Sequence, residues 1–116
     1  MSRKPNVRRS NGSARTKLRR WLKAQGRPCW ICVAFGKNGD IDYSLPHLHP
    51  YAFEVDELVP VALGGDPLDP GNVDAAHRCC NQWRGAMTVE QVLAKAAEGR
   101  ASAPNRSASG STSRDW

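Results

Sequence analysis

No aspartate or glutamate occurs in residues 1–39, although that stretch holds 11 of the 17 lysines and arginines. Residues 40–116 carry all 11 acids and only 6 basic residues, so the two parts have opposite charge within a net charge of +6. Clustered cations with no acid beside them release counterions from a phosphate backbone, which points to a polyanion partner. Long apolar runs are also missing: nothing approaches the ~18 residues of a membrane span, and no apolar segment follows the basic start as in a signal peptide. A cytoplasmic, reducing setting with no membrane partner is therefore expected. There paired cysteines act as metal ligands before they form disulfides. No internal repeat is present.

At 116 residues the chain has room for one small domain, too small to be secured by burial alone. We expect a disordered basic arm over 1–12, a packed domain over 13–99 and a disordered tail over 100–116, where Ser, Ala, Gly, Arg and Pro cannot support a core. Ser13 or Thr16 is expected to cap a helix reaching Gln25, with Leu18, Trp21 and Leu22 as its apolar stripe. Arg15, Lys17, Arg19, Arg20 and Lys23 fill its other faces and are the candidate DNA contacts. A knuckle-like turn follows at 29–32, then a loop over 36–50. Strands are expected over 52–58 and 72–76, joined by a turn-rich loop, and helices over 78–86 and 88–98. Thr88 would cap the last helix, with Val89, Val92, Leu93 and Ala96 facing inward. The fold class is α+β.

The chemistry concentrates between these elements. Cys29-x-x-Cys32 can chelate one ion with a single turn, and His77-x-x-Cys80 repeats that spacing after 44 intervening residues. Three thiolates and one imidazole make a closed structural zinc site. Cys80 is chosen over Cys79 because it mirrors the first pair, and a disulfide framework is the competing reading. Asp56 and Glu57 are adjacent, so on a strand they point to opposite faces. A twist or bulge could still turn both toward one hard cation, and carboxylates with amide oxygens suit Mg²⁺ or Mn²⁺.

Taken together, Phe53-Glu-Val-Asp56-Glu57-Leu-Val-Pro60, Gly64-Gly65, Asn72 and His77-Arg-Cys-Cys80-Asn81-Gln-Trp-Arg84-Gly85 resemble the HNH endonucleases, in particular small phage-encoded members with a zinc knuckle. The likeness covers residues 29–85. It implies a ββα-metal (His-Me finger) unit, in which a hairpin and a helix cradle one divalent cation while a structural zinc pins hairpin to helix. Asp56 would ligate the catalytic Mg²⁺ or Mn²⁺, Asn81 would be the second ligand, and Asn72 would orient the base or brace the loop. Cys29, Cys32, His77 and Cys80 match the zinc ligands.

Glu57 stands where the family usually places a histidine base. An imidazole titrating near ~6.5 accepts a proton at neutral pH, whereas a carboxyl near ~4.3 is a weaker base. Glu57 is therefore either a base or a metal ligand, and His47 and His49 are the alternative bases. Arg78 and Arg84 share the helix of Asn81 and could grip flanking phosphates. Trp21, Trp30 and Trp83 read as core anchors rather than base-stacking groups. The expected activity is metal-dependent nicking or cutting of double-stranded DNA with low sequence specificity, in a bacterial host cell. The resemblance also implies partners among phage terminase and portal proteins during genome packaging. The alternatives are a non-catalytic zinc-stapled DNA-binding module and a terminase-associated assembly factor.

Overall fold

The computed structural model describes the backbone of residues 3–102 and the side chains of residues 12–99. Four helices and a hairpin follow in the order α1 (Arg3–Gln25), α2 (Trp30–Ala34), β1 (Phe53–Glu57), β2 (Val73–His77), α3 (Arg78–Arg84) and α4 (Val89–Ser102). Two short 3₁₀ turns, Val61–Leu63 and Pro70–Asn72, lie in the loop between the strands. The result is a small α+β arrangement around a two-stranded antiparallel sheet.

The strands pair in the register Phe53↔His77 to Glu57↔Val73. Alternation then divides the sheet between two cores. Phe53 and Val55 from β1 join Val73 and Ala75 from β2 in packing against Leu18 and Leu22 of α1. On the other side Ala76 joins Cys29, Ile31, Cys32, Cys80 and Val92, drawn from the α2 turn, α3 and α4. Glu54 and Asp56 belong to that second face.

Helix α1 begins at Arg3, ten or more residues before the expected cap. Pro5 falls in its first turn, where a missing N–H costs no intrahelical bond, so the proline does not bar the helix. The disordered basic arm expected over 1–12 is instead given as helical backbone from residue 3 on. Thr16 caps nothing; its hydroxyl donates back to the Gly12 carbonyl at 3.0 Å. Leu18 and Leu22 are buried, but Trp21 is 38% exposed and lies under the Arg27 guanidinium, 5.6 Å from the ring centroid. The core-facing stripe is therefore a narrow i, i+4 pair.

The remaining elements lie close to their expected places. Each strand is five residues long, and β2 runs one residue further than expected, so that it ends on His77. Gly85, at φ +53°, closes α3 earlier than expected. Thr88 and Gln91 form a reciprocal capping box: Gln91 N–H donates to Thr88 Oγ1 at 3.1 Å, and Thr88 N–H to Gln91 Oε1 at 2.8 Å. Val92 and Ala96 of α4 are fully buried, whereas Leu93, expected inside, is exposed. The expected disordered tail lies outside the described residues from position 103 on.

Leu22 has no exposed surface and joins α1 to the sheet. Leu22→Ala should cost about 2–5 kcal/mol, by lost transfer energy plus the cavity left behind. Urea unfolding checks this, with Trp21→Ala expected to cost clearly less.

Candidate metal centre and adjoining groove

Cys29 caps the start of α2, Cys32 lies in its first turn, His77 ends β2, and Cys80 lies in the first turn of α3. These elements bring four donor atoms within 4.8 Å of one another, all from buried residues. Cys32 Sγ lies 3.5 Å from His77 Nδ1 and 3.7 Å from Cys80 Sγ, and Cys80 Sγ lies 3.8 Å from His77 Nδ1. A regular tetrahedron with Zn–S of ~2.3 Å has edges of ~3.8 Å, so the spacing suits zinc. His77 Nε2 meets the Asp40 carbonyl at 2.9 Å. With the proton on Nε2, that contact fixes the ring and leaves the Nδ1 lone pair turned to the sulfurs.

The surrounding charges agree with a metal-binding cluster. Hydrogen bonds from Cys32 and then Cys80 hold the Cys29 thiol far below its ordinary value, while contact with Cys29 and Cys32 pushes Cys80 up. Hydrogen bonds to Cys29 and Cys32 raise His77 to about 10. Cys79 is not one of the four; it packs beside the cluster, and its N–H donates to the Pro50 carbonyl. All four cysteines are free thiols, so no disulfide framework exists.

Next to the tetrad lies a buried ionic network that the sequence does not disclose. Asp56 is 5% and Arg84 3% exposed. Arg84 Nη1 lies 2.8 Å from both carboxylate oxygens of Asp56. Its nitrogens also reach the carbonyls of Glu57 at 3.2 Å, Leu58 at 2.7 Å and Met87 at 2.9 Å. Trp30, directly after Cys29, donates its indole N–H to Asp56 Oδ2 at 2.8 Å, and the Arg84 guanidinium lies over its ring. Burial raises the Asp56 carboxyl above its usual range despite the opposing pull of Trp30 and Arg84. The phosphate-gripping role expected of Arg84 is corrected here: all three of its nitrogens are committed inside the protein. Asp56, expected as a cation ligand, is the anion of this internal pair.

The other expected residues separate into loop and groove. Asn72 braces the connection between the strands: its amide accepts from Val59 N–H and donates to the carbonyls of Val59 and Asp66. Gly65 passes so close to this clamp that a Cβ there would lie 1.7 Å from the Val59 carbonyl oxygen, which explains one glycine of the pair. Gly64, at φ +95°, explains the other. Glu57 lies on the opposite face of β1 from Asp56, 3.9 Å from Arg15. It lines a groove of about 420 Å³ together with Arg15, Arg19, Arg78, Glu54 and His47. His49 has a loop role instead, its Nδ1 accepting from Tyr51 N–H at 3.0 Å. Lys17, Arg20 and Lys23 are exposed on α1 outside the groove lining.

Asn81 donates from Nδ2 to Glu54 Oε1 at 3.0 Å, and Arg78 Nε lies 3.4 Å from Glu54 Oε2. Sequence reasoning misses Glu54, although strand alternation puts it on the same face as Asp56, toward α3. Trp30 is partly buried, whereas Trp83, expected as a core anchor, is 39% exposed and meets Phe35 edge-on at 5.6 Å. Among the described residues, the Cys29, Cys32, His77 and Cys80 set is the one group of three or more His, Cys, Asp or Glu side chains close enough to hold a metal ion. In comparisons with protein-family models, curated proteins and solved structures, nothing matches this chain.

Two outcomes follow. Zinc takes neutral imidazole and thiolate, so loading at neutral pH should expel the proton that His77 holds in the metal-free cluster. Apparent zinc affinity should then rise with pH; competition titration with a pH indicator measures both effects, and Cys29→Ser should abolish retention of the ion. Separately, Asp56→Ala should destabilise by about 3–5 kcal/mol, because it strands the buried Arg84 charge. Adding Arg84→Met to that variant should recover much of the loss, as read from urea midpoints.

Proposed function

We propose that this chain is a zinc-stapled DNA endonuclease of the HNH type, with its catalytic groove along β1. The observation that carries the reading is the placement of Glu57 and His47 in one groove with Arg15, Arg19 and Arg78, on a hairpin that runs directly into α3. That order of hairpin and helix, braced by Asn72 and joined to the cysteine–histidine tetrad, supports a ββα arrangement. Three guanidinium groups around two carboxylates suit a phosphodiester better than a neutral ligand.

The resemblance also implies a catalytic Mg²⁺ or Mn²⁺ held by Asp56, Glu57 and Asn81. Asp56 does not fit that role as placed, because a cation at its carboxylate would meet the Arg84 guanidinium. With Asp56 committed to Arg84, the roles that follow are those of the protein's own groups. Arg15, Arg19 and Arg78 would neutralise the scissile phosphate and the charge that grows on it. His47 is the histidine lining the groove, and it would take a proton from water as the water oxygen bonds to phosphorus. The bond to the 3′ oxygen breaks, and solvent protonates that leaving oxygen, giving 5′-phosphate and 3′-hydroxyl ends. Glu57 beside Arg15 would orient the water or share the proton. Phosphate contacts of this kind position the protein without reading bases, so specificity would be low and binding salt-sensitive.

A second reading is a DNA-binding module that does not cut. It is favoured by the saturation of Asp56 by Arg84, together with a glutamate in the position of the usual base. Action beside a packaging terminase rests on the resemblance alone, and a pull-down with terminase and portal proteins would test it.

Nicking of supercoiled plasmid at low salt in Mg²⁺, Mn²⁺ and EDTA separates the two main readings. For the nuclease, nicking should fall by roughly 10²–10⁴-fold in whichever of Glu57→Ala and His47→Ala removes the base. Retarded but uncut plasmid in every condition would instead establish the binding module.

A further inference from the structure

Glu54 occupies a position that neither its own chemistry nor the carried-over motif explains. It projects from β1 toward α3 and touches two residues of that helix at once. Its Oε1 accepts from Asn81 Nδ2 at 3.0 Å, and its Oε2 lies 3.4 Å from Arg78 Nε. Each contact has a directional consequence. A carboxylate can only accept, so it selects the NH₂ end of the Asn81 amide and turns Oδ1 away. That oxygen takes no partner among the described residues. In Arg78 only Nε is engaged, so the four N–H of its two terminal nitrogens are left without a protein partner among the described residues, and the side chain lines the groove.

An acid inside a groove with three arginines opposes polyanion binding by its charge. A residue that served only as bulk or surface charge would be better replaced there by its amide. We infer that Glu54 is a positioning residue: held from α3 by the Asn81 amide, it fixes the guanidinium of Arg78 so that the two terminal nitrogens are presented to one phosphodiester. The inference rests on the proposed nucleic-acid substrate. It assigns to Glu54 the orientation of Arg78 at the start of α3, while Asp56, two residues on, secures the interior.

The sign of one measurement decides it. Duplex DNA affinity and its salt dependence would be measured for the wild type, Glu54→Gln, Arg78→Ala and the double variant, all zinc-loaded, with plasmid nicking followed in parallel. A role through charge alone requires Glu54→Gln to bind DNA more tightly, because it removes a negative charge from the groove. The positioning role requires it to bind roughly three- to tenfold more weakly and to lose about one phosphate contact from the salt slope. In the Arg78→Ala background the same change should no longer weaken binding, since nothing remains to be positioned. Glu54→Asp, which keeps the charge on a shorter stem, should restore part of the affinity.

Tighter or unchanged binding by Glu54→Gln overturns the inference, as does an equal loss in the Arg78→Ala background or a wild type that does not bind DNA. If the binding pattern holds and no plasmid is nicked under any metal, the assignment of Glu54 stands and the nuclease reading falls. Near-identical circular dichroism of the isosteric variant excludes unfolding as the cause.

Discussion

Two short stretches of chain, with Cys32 standing 45 residues before His77 and 48 before Cys80, meet at one buried tetrad. The rest of the structure depends on that meeting. The sheet has only two strands, and a lone hairpin of that size is marginal in water. α2 and α3 are five and seven residues long, far below what holds a helix by itself. None of these elements is stable alone. The tetrad joins them by side chains belonging to the turn before α2, the end of β2 and the start of α3. Around it Ile31, Ala76 and Val92 supply the apolar packing.

From that anchor the constraint passes to the groove through polar contacts. Trp30 follows the ligand Cys29 and bonds Asp56 on β1; Arg84 closes the same network and holds the carbonyls of Glu57 and Leu58. Backbone at the end of β1 is thus fixed from the tetrad side. On its other side Asn72 fixes Val59 through both its N–H and its carbonyl. Glu57 and Leu58 are caught between these two clamps, so the carboxylate of Glu57 leaves a backbone with little freedom. Pre-organisation of this kind is what a site facing a charged substrate requires, since groups fixed beforehand need not reorganise when charge develops.

The sequence reveals the features that depend on spacing and conceals those that depend on reach. Cys29-x-x-Cys32 and His77-x-x-Cys80 are legible because ligand geometry restricts the residues between. Gly64-Gly65 is legible because turns and close approaches need glycine. The two faces of β1 are legible from alternation, yet alternation says nothing of what stands opposite each face. Arg84 lies 28 residues from Asp56, and no local pattern shows its guanidinium crossing to that carboxylate. The start of α1 escapes for another reason: a proline reads as a breaker, whereas in a first turn it breaks nothing. Trp21 is kept out of the core because Leu18 and Leu22 already fill the narrow seam that α1 offers to the sheet.

Arg78 and Arg84 show why charge composition alone could not locate the groove. Both lie on α3, and six residues of helix rotate one about 240° away from the other. Arg78, at the first turn, lines the groove and pairs with the half-exposed Glu54; Arg84, at the last turn, points into the interior and is sealed by Asp56. Two identical side chains on one short helix thus have opposite employments. The acids behave in parallel: Glu54 and Asp56 share a face of β1, and each takes the arginine that the helix rotation brings above it. The pairing is determined by the alignment of β1 with α3, which the tetrad fixes through His77 and Cys80 at their junction. A change in that alignment by one helical residue would expose Arg84 and strand Asp56. The interior network and the groove are therefore two consequences of a single register.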